Sequence, residues 1–271
     1  MVGMPHFLCP YQTYIYFMRR DKMLLNNGSR RRVAFALIGD RYHNSDYIRT
    51  ALKKTLVEKA GISIDFTDEV SLLSEETLKY YRMLIILRDG MVWPNGYGIT
   101  DDIVSDPPLP KIEEKPEMWM TPNQGRAVRE FIDDGGAALF LHNSSHISLS
   151  NHDFRNVLGG AFIGHPPVRP FKIKMVNREH PITRGVQDFI ITDEQHYVKY
   201  EKDQGYVFMI SVNENGLTFG DYGSSCEAGW AYEYGKGKVC FMAPGHNLAS
   251  LWNPEYVKLQ VNAVKWLLKK I

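Results

Sequence analysis

Between Arg32 and Leu87 three short apolar runs alternate with two helical stretches, and few folds satisfy that order. Arg32 to Asp40 is apolar and partly β-branched, ending at Gly39, and Ile62 to Phe66 and Met83 to Leu87 repeat the pattern. After the first run, Asn44-Ser45-Asp46 supplies capping side chains. Ile48, Leu52, Leu56 and Val57 then form an apolar stripe that reaches Gly61. Ser74-Glu75-Glu76-Thr77 opens a second, shorter helix before the third run. Apolar runs this short, bounded by turn residues, read as strands covered on both faces. Strand, helix, strand, helix, strand with these lengths predicts a doubly wound, mostly parallel sheet.

The rhythm breaks at residues 91–121, where Pro94, Pro107, Pro108, Pro110 and Pro116 interrupt any period. Loops of that length inside a domain are usually functional or linkers, and Trp93, Tyr97 and Trp119 argue for an ordered insertion at the ligand-bearing end of the third strand. Thr121-Pro122 starts the next helix with a hydroxyl cap and a proline at its first position. Ala137 to Leu141 reads as the fourth strand, followed by a short helix from Phe154 to Leu158. From Phe171 to Phe241 the alternation of Phe171-Ile173-Met175, Val207-Met209 and Trp230-Tyr232-Tyr234 predicts an added antiparallel β portion, with a hairpin turn at Lys236-Gly237. An amphipathic helix from Pro254 to Ile271 closes one domain spanning residues 32–271.

Residues 1–31 stand apart. Tyr11 to Met18 is aromatic-rich and Arg19-Arg20 and Arg30-Arg31-Arg32 follow, the reverse of a secretory signal's order. They read as a loosely attached N-terminal extension, with Met23 as an alternative start and a transit peptide as the competing reading. Lys plus Arg (32) nearly cancels Asp plus Glu (31), so no electrostatic footprint for nucleic acid or an anionic membrane exists. Cys9, Cys226 and Cys240 form no metal or disulfide spacing, which fits a cytoplasmic protein. A small-molecule partner is expected; a homo-oligomer is compatible with the sequence, which does not decide it.

Four histidines sit where strand-like runs end: His43, His142, His165 and His246. In an open α/β sheet such ends share one rim, and ligands bind there. Imidazole titrates near neutrality and is the commonest metal ligand. His142 follows the fourth strand, where hydrolases of this architecture place a nucleophile elbow, but no G-x-S-x-G or G-x-C-x-G is present. His165 is held extended by Pro166. Glu194 and His196 would share one face of an extended segment, with Asp193, Gln195 and Tyr197 on the other. Asn143 and Trp252 stand beside His142 and His246 as candidate contacts for a hydroxyl and a sugar ring. The duller readings are satisfied loop histidines, a solvated acidic loop and a core tryptophan. His180, before Pro181, reads as structural. Tyr234-Gly235-Lys236-Gly237-Lys238 lacks the spacing of a P-loop.

Six strings in order resemble the ThuA-like family, named for trehalose utilisation: Gly135-Gly136 into Leu139-Phe140-Leu141-His142, then Leu158-Gly159-Gly160-Ala161-Phe162 with His165-Pro166. Glu179-His180-Pro181-Ile182-Thr183-Arg184-Gly185, Asp193-Glu194 with Tyr197, Tyr234-Gly235-Lys236-Gly237-Lys238-Val239 and Pro244-Gly245-His246 complete the set. The resemblance covers residues 32–271 and implies a flavodoxin-like, class I glutamine amidotransferase-like fold and a place in carbohydrate metabolism, without glutamine hydrolysis. The insertion and Asn143-Ser144-Ser145-His146 depart from the family pattern. The resulting expectation is an enzyme acting on a disaccharide or keto-sugar by acid–base or metal-assisted hydrolysis or isomerisation. His142, His165, Glu194 and His246 would be catalytic, or would hold one divalent ion of zinc, manganese or iron. His43, Asn143, Tyr197 and Trp252 would bind substrate. The alternative is a non-catalytic module binding a saccharide or a partner through the same cleft, with Trp93, Tyr97 and Trp119 as its docking surface.

Overall fold

The structure, a computed structural model, describes residues 32–95, 106–107 and 115–271; the expectations for residues 1–31 and for Tyr97 lie outside the described residues. Its strands are β1 (Arg32–Ile38), β2 (Ile64–Thr67), β3 (Tyr81–Leu87), β4 (Met91–Val92), β5 (Glu117–Met118), β6 (Ala137–Leu141) and β7 (Gly160–Gly164). They continue with β8 (Arg169–Met175), β9 (Phe189–Asp193), β10 (Tyr197–Tyr200), β11 (Val207–Val212), β12 (Ser225–Tyr234) and β13 (Gly237–Met242). Nine of them form one sheet in the order β2-β1-β3-β6-β13-β12-β11-β8-β9. From β2 to β13 all neighbours are parallel, and from β13 to β9 all are antiparallel. The doubly wound sheet and its antiparallel extension are both present.

Helices Ser45–Leu52, Leu248–Leu251 and Pro254–Leu267 pack together, and Glu75–Leu78, Pro122–Asp133 and His152–Leu158 form a second group. The strands between are correspondingly apolar throughout: Ala36 to Ile38, Met83 to Leu87, Ala138 to Leu141 and Val239 to Met242 are fully buried. The first helix was expected to continue to Gly61, and it does so with a change of winding. Residues Lys53–Lys59 take wider π-helical turns. Thr55 is buried within these turns, its hydroxyl 3.1 Å from both the Ala51 carbonyl and the Gln260 side-chain oxygen.

Two further expectations shift by small amounts. The hairpin between β12 and β13 turns on Gly235-Lys236, with Gly235 at φ +55° and Tyr234 opposite Gly237. Trp119 of the insertion is a core residue, its indole N–H donating to the Asp89 carbonyl at 2.7 Å. The described ends of the insertion pair as β4 and β5 beside the rim. Among the described residues no helix is long and apolar enough to cross a membrane.

Candidate metal centre

β1, β3, β6 and β13 end on the same rim because they are parallel neighbours, and each end contributes polar side chains. Asp40 and His43 follow β1, Asp89 follows β3, His142 and Asn143 follow β6, and His246 follows β13. His43 and His246, 203 residues apart in the chain, therefore meet with Nε2 and Nδ1 3.0 Å apart. His142 is the first residue beyond β6 and adopts a left-handed backbone, φ +51°. Such a conformation is costly for a non-glycine residue, on the order of 1–2 kcal/mol. It is retained where the backbone would turn a nucleophile outward, and here it turns an imidazole. Gly245 makes room for it: a Cβ there would lie 2.9 Å from the His142 Cβ.

Glu194, His196 and His165 come from elsewhere. β9 lies four places from β13 in the sheet, yet it returns to the rim. The buried Asp193 carboxylate accepts from the backbone N–H groups of Glu194, Gly245 and His246 at 2.8, 2.8 and 3.1 Å. Asn247 and Ser250 donate to the Thr192 carbonyl and pin the same junction. The two-stranded ribbon of β7 and β10 then brings His165 and His196 over the cluster.

The result is one carboxylate oxygen, Glu194 Oε2, surrounded by His246 Nδ1 at 3.2 Å, His196 Nε2 at 3.3 Å, His142 Nε2 at 3.4 Å and His165 Nε2 at 3.6 Å. His43 Nε2 lies 3.1 Å from His142 Nε2. Hydrogen bonds assign the protons. His142 Nδ1 is 2.8 Å from the Ala243 carbonyl, which can only accept, so its Nε2 is a bare lone pair. His43 Nδ1 lies 2.9 Å from the Asp40 carboxylate and 2.8 Å from the Asn143 amide nitrogen, and its Nε2 faces the cluster. With the His43 proton on the Asp40 side, two lone pairs face each other beside an anionic oxygen, an arrangement that a cation would satisfy.

The donor atoms of His43, His142, Glu194 and His246 all lie within 4.8 Å of one another. Four of the six separations among these atoms, at 3.0, 3.1, 3.2 and 3.4 Å, are near the roughly 3.4 Å spacing of ligands bound to one metal ion at about 2.0–2.1 Å. Asp40 behind His43 is a typical outer partner that fixes a ligand's tautomer.

Electrostatics agree. Burial alone would raise the Glu194 carboxyl, but the imidazoles of His142, His196 and His246 beside it outweigh burial and hold the group far below the usual carboxylate range. Burial likewise opposes Asp40, and His43, Asn143 and the Asp89 N–H bring it down to about 2. Asp89 is pushed up to about 6 by burial and then by the Asp40 charge. Burial lowers His142, and burial with the His142 charge lowers His196 further. The bond to Glu194 raises His246. The cluster opens on a cavity of about 340 Å³, a volume suited to a small ligand, with Tyr42, Met91, His146 and Phe162 on its other walls.

Of the residues singled out from sequence, His142, His165, Glu194, His246, His43 and Asn143 converge here. His43, expected to touch substrate, stands among the metal-type donors, whereas His165 lies on the far side of Glu194. Asn143 lines the cavity, but its amide N–H donates to Asp40 at 2.7 Å. Tyr197 and Trp252 do not join them. The Tyr197 hydroxyl donates to the Gly223 carbonyl and its ring packs on Phe219, because it takes the strand face opposite Glu194. Trp252 packs against the core under the Lys54 ammonium, 3.8 Å from its ring. His180 caps the turn Pro181–Thr183 through its ring and is structural. Asp40, Asp89 and His146 are site residues that the sequence reading does not single out. Asp40 alone had a usable signal, standing at the end of β1 three residues before His43.

The family model for ThuA, described as trehalose utilisation, matches residues 36–267. No curated protein matches the sequence. Among solved structures, a ThuA-like protein of Bacteroides uniformis is 19% identical with a TM-score of 0.59, over 90% of this chain and 94% of that one. A ThuA-like protein of Parabacteroides merdae is 12% identical with a TM-score of 0.64, over 89% and 91%. A protein of Salmonella typhimurium described as cytoplasmic is 15% identical with a TM-score of 0.54, over 87% and 98%. At these identities the structures testify to the fold. The matched span takes in the rim end of each of these strands and all six residues that converge there, and the chain belongs to the ThuA family, a family of trehalose utilisation.

Proposed function

We propose that this protein is a cytoplasmic enzyme of carbohydrate metabolism that uses a divalent cation held by His43, His142, Glu194 and His246 to hydrolyse or isomerise a disaccharide or keto-sugar. The observation that carries the reading is the convergence of four donor atoms, His43 Nε2, His142 Nε2, His246 Nδ1 and Glu194 Oε2, within 4.8 Å of one another, with Asp40 and the Ala243 carbonyl behind the first two rings. The family supports the substrate class, and a relative described as cytoplasmic supports the compartment. Three imidazoles and one carboxylate suit zinc, manganese or iron(II). Such a cation would polarise a sugar carbonyl or lower the pKa of a hydroxyl or water.

The remaining groups have separate tasks in this reading. Asp89, its carboxyl raised to about 6, can give or take a proton near neutrality at the cavity wall. Tyr42 and Trp93, edge to face at 5.9 Å, offer a flat aromatic face to a sugar ring. Purified untagged protein should contain metal and convert trehalose, another disaccharide or a keto-sugar, with turnover abolished by chelator and restored by metal. Binding of these sugars by calorimetry with no conversion under any metal would establish the binding-module alternative instead. Protein that neither holds metal nor responds to it would sink the metal reading.

A further inference from the structure

We propose that the centre is binuclear, with a second divalent cation bound between His165, His196 and Glu194 and with the Glu194 carboxylate bridging the two ions. The inference rests on the reading above for its first ion and adds a site which that reading does not use. His165, Glu194 and His196 offer three donor atoms that all lie within 4.8 Å of one another, a set distinct from the first except for Glu194.

Geometry aims both rings of this set at one oxygen. His165 Nδ1 lies 3.0 Å from the Pro166 carbonyl, which turns Nε2 toward the Glu194 oxygen, 3.6 Å away. A cation in the first set satisfies His43, His142 and His246 and does nothing for this contact. His196 lies between the other two rings, 4.0 Å from His142 and 5.0 Å from His165 and nearly parallel to both, so its Nε2 reaches the same oxygen. His196 Nδ1 has no protein partner, while its Nε2 lies 3.3 Å from Glu194 Oε2; a cation would displace the Nε2 proton and take that nitrogen as a ligand.

Asp40, Asp89, Asp193 and Glu194 lie around the cluster, the side chains of the first three buried, so the pocket carries acidic groups that would offset the charge of bound cations. Bridging carboxylates are the usual means of holding two cations about 3.5–4 Å apart, a spacing that clamps a substrate oxygen between them.

The test is a calorimetric and elemental titration of the metal-stripped full chain with manganese(II), with EPR recorded at each step. Two equivalents per chain and an exchange-coupled manganese pair are expected. The His165→Ala variant, whose side chain is partly exposed, should fold as the wild type by circular dichroism. It should bind one equivalent and give an uncoupled signal. His43→Gln should instead weaken the first equivalent. A wild type that saturates at one equivalent, with the same stoichiometry in His165→Ala, would overturn the binuclear centre and leave the mononuclear reading standing. No binding at all would overturn both.

Discussion

Asp40 does more for the cluster than any residue that faces the cavity. Its carboxylate accepts from the backbone N–H groups of Tyr42, His43 and Asp89, from the Asn143 amide and from the His43 ring. Asp40→Asn keeps the shape but removes the charge that sets the His43 tautomer. Metal affinity should fall by about 10–100-fold, the usual cost of losing such an outer partner, as read by competition with a chromophoric chelator. Gly245 bears on the site through space alone. Gly245→Ala would place a methyl 2.9 Å from the His142 Cβ, and the left-handed His142 backbone has no room to retreat. A loss of about 1–3 kcal/mol in urea unfolding is expected from that overpacking. Unchanged stability would show that the two loops are looser than they look.

At the level of elements, the turn Pro181–Thr183 shows how a histidine can serve structure. His180 accepts the Ile182 N–H at its start while its ring packs on Phe208 and Trp266. Burial, and then the Lys238 charge, lowers its pKa. The unfolded chain takes up a proton below about 6.5, whereas the folded one resists. The stabilisation is therefore full above that pH and declines as pH falls below it. His180→Asn, which can still accept from Ile182, should narrow the stability gap to wild type between pH 7 and pH 5. A constant gap would count against the assignment. Most elements were legible in the sequence because their signals are local. Thr121 with Gln124 forms a capping box, Gly159 at φ +88° ends its helix, and the strands of the parallel half are continuous apolar runs. The π-helical turns were not legible, because the apolar stripe through Ile48, Leu52 and Leu56 reads as a regular helix.

For the molecule as a whole, the metal reading predicts a linkage. A cation that binds only the folded chain should stabilise it by about 2.7 kcal/mol at a free concentration one hundred times its Kd. The melting temperature should rise accordingly with added manganese(II) or zinc(II) and fall with chelator, and His142→Ala should lose that response. The sequence by itself determined the doubly wound sheet, the family, and the presence of histidines at strand ends, because apolar periodicity and turn residues act over a few positions. It also placed Glu194 and His196 on one face. Only the tertiary structure decided that β9 returns to the rim, that His43 rather than His165 completes the four-donor set, and that Tyr197 and Trp252 point elsewhere. Those outcomes depend on the position of β9 at the sheet's far edge and on Asp193 bonding to Gly245 and His246 across some fifty residues, contacts that no local pattern records.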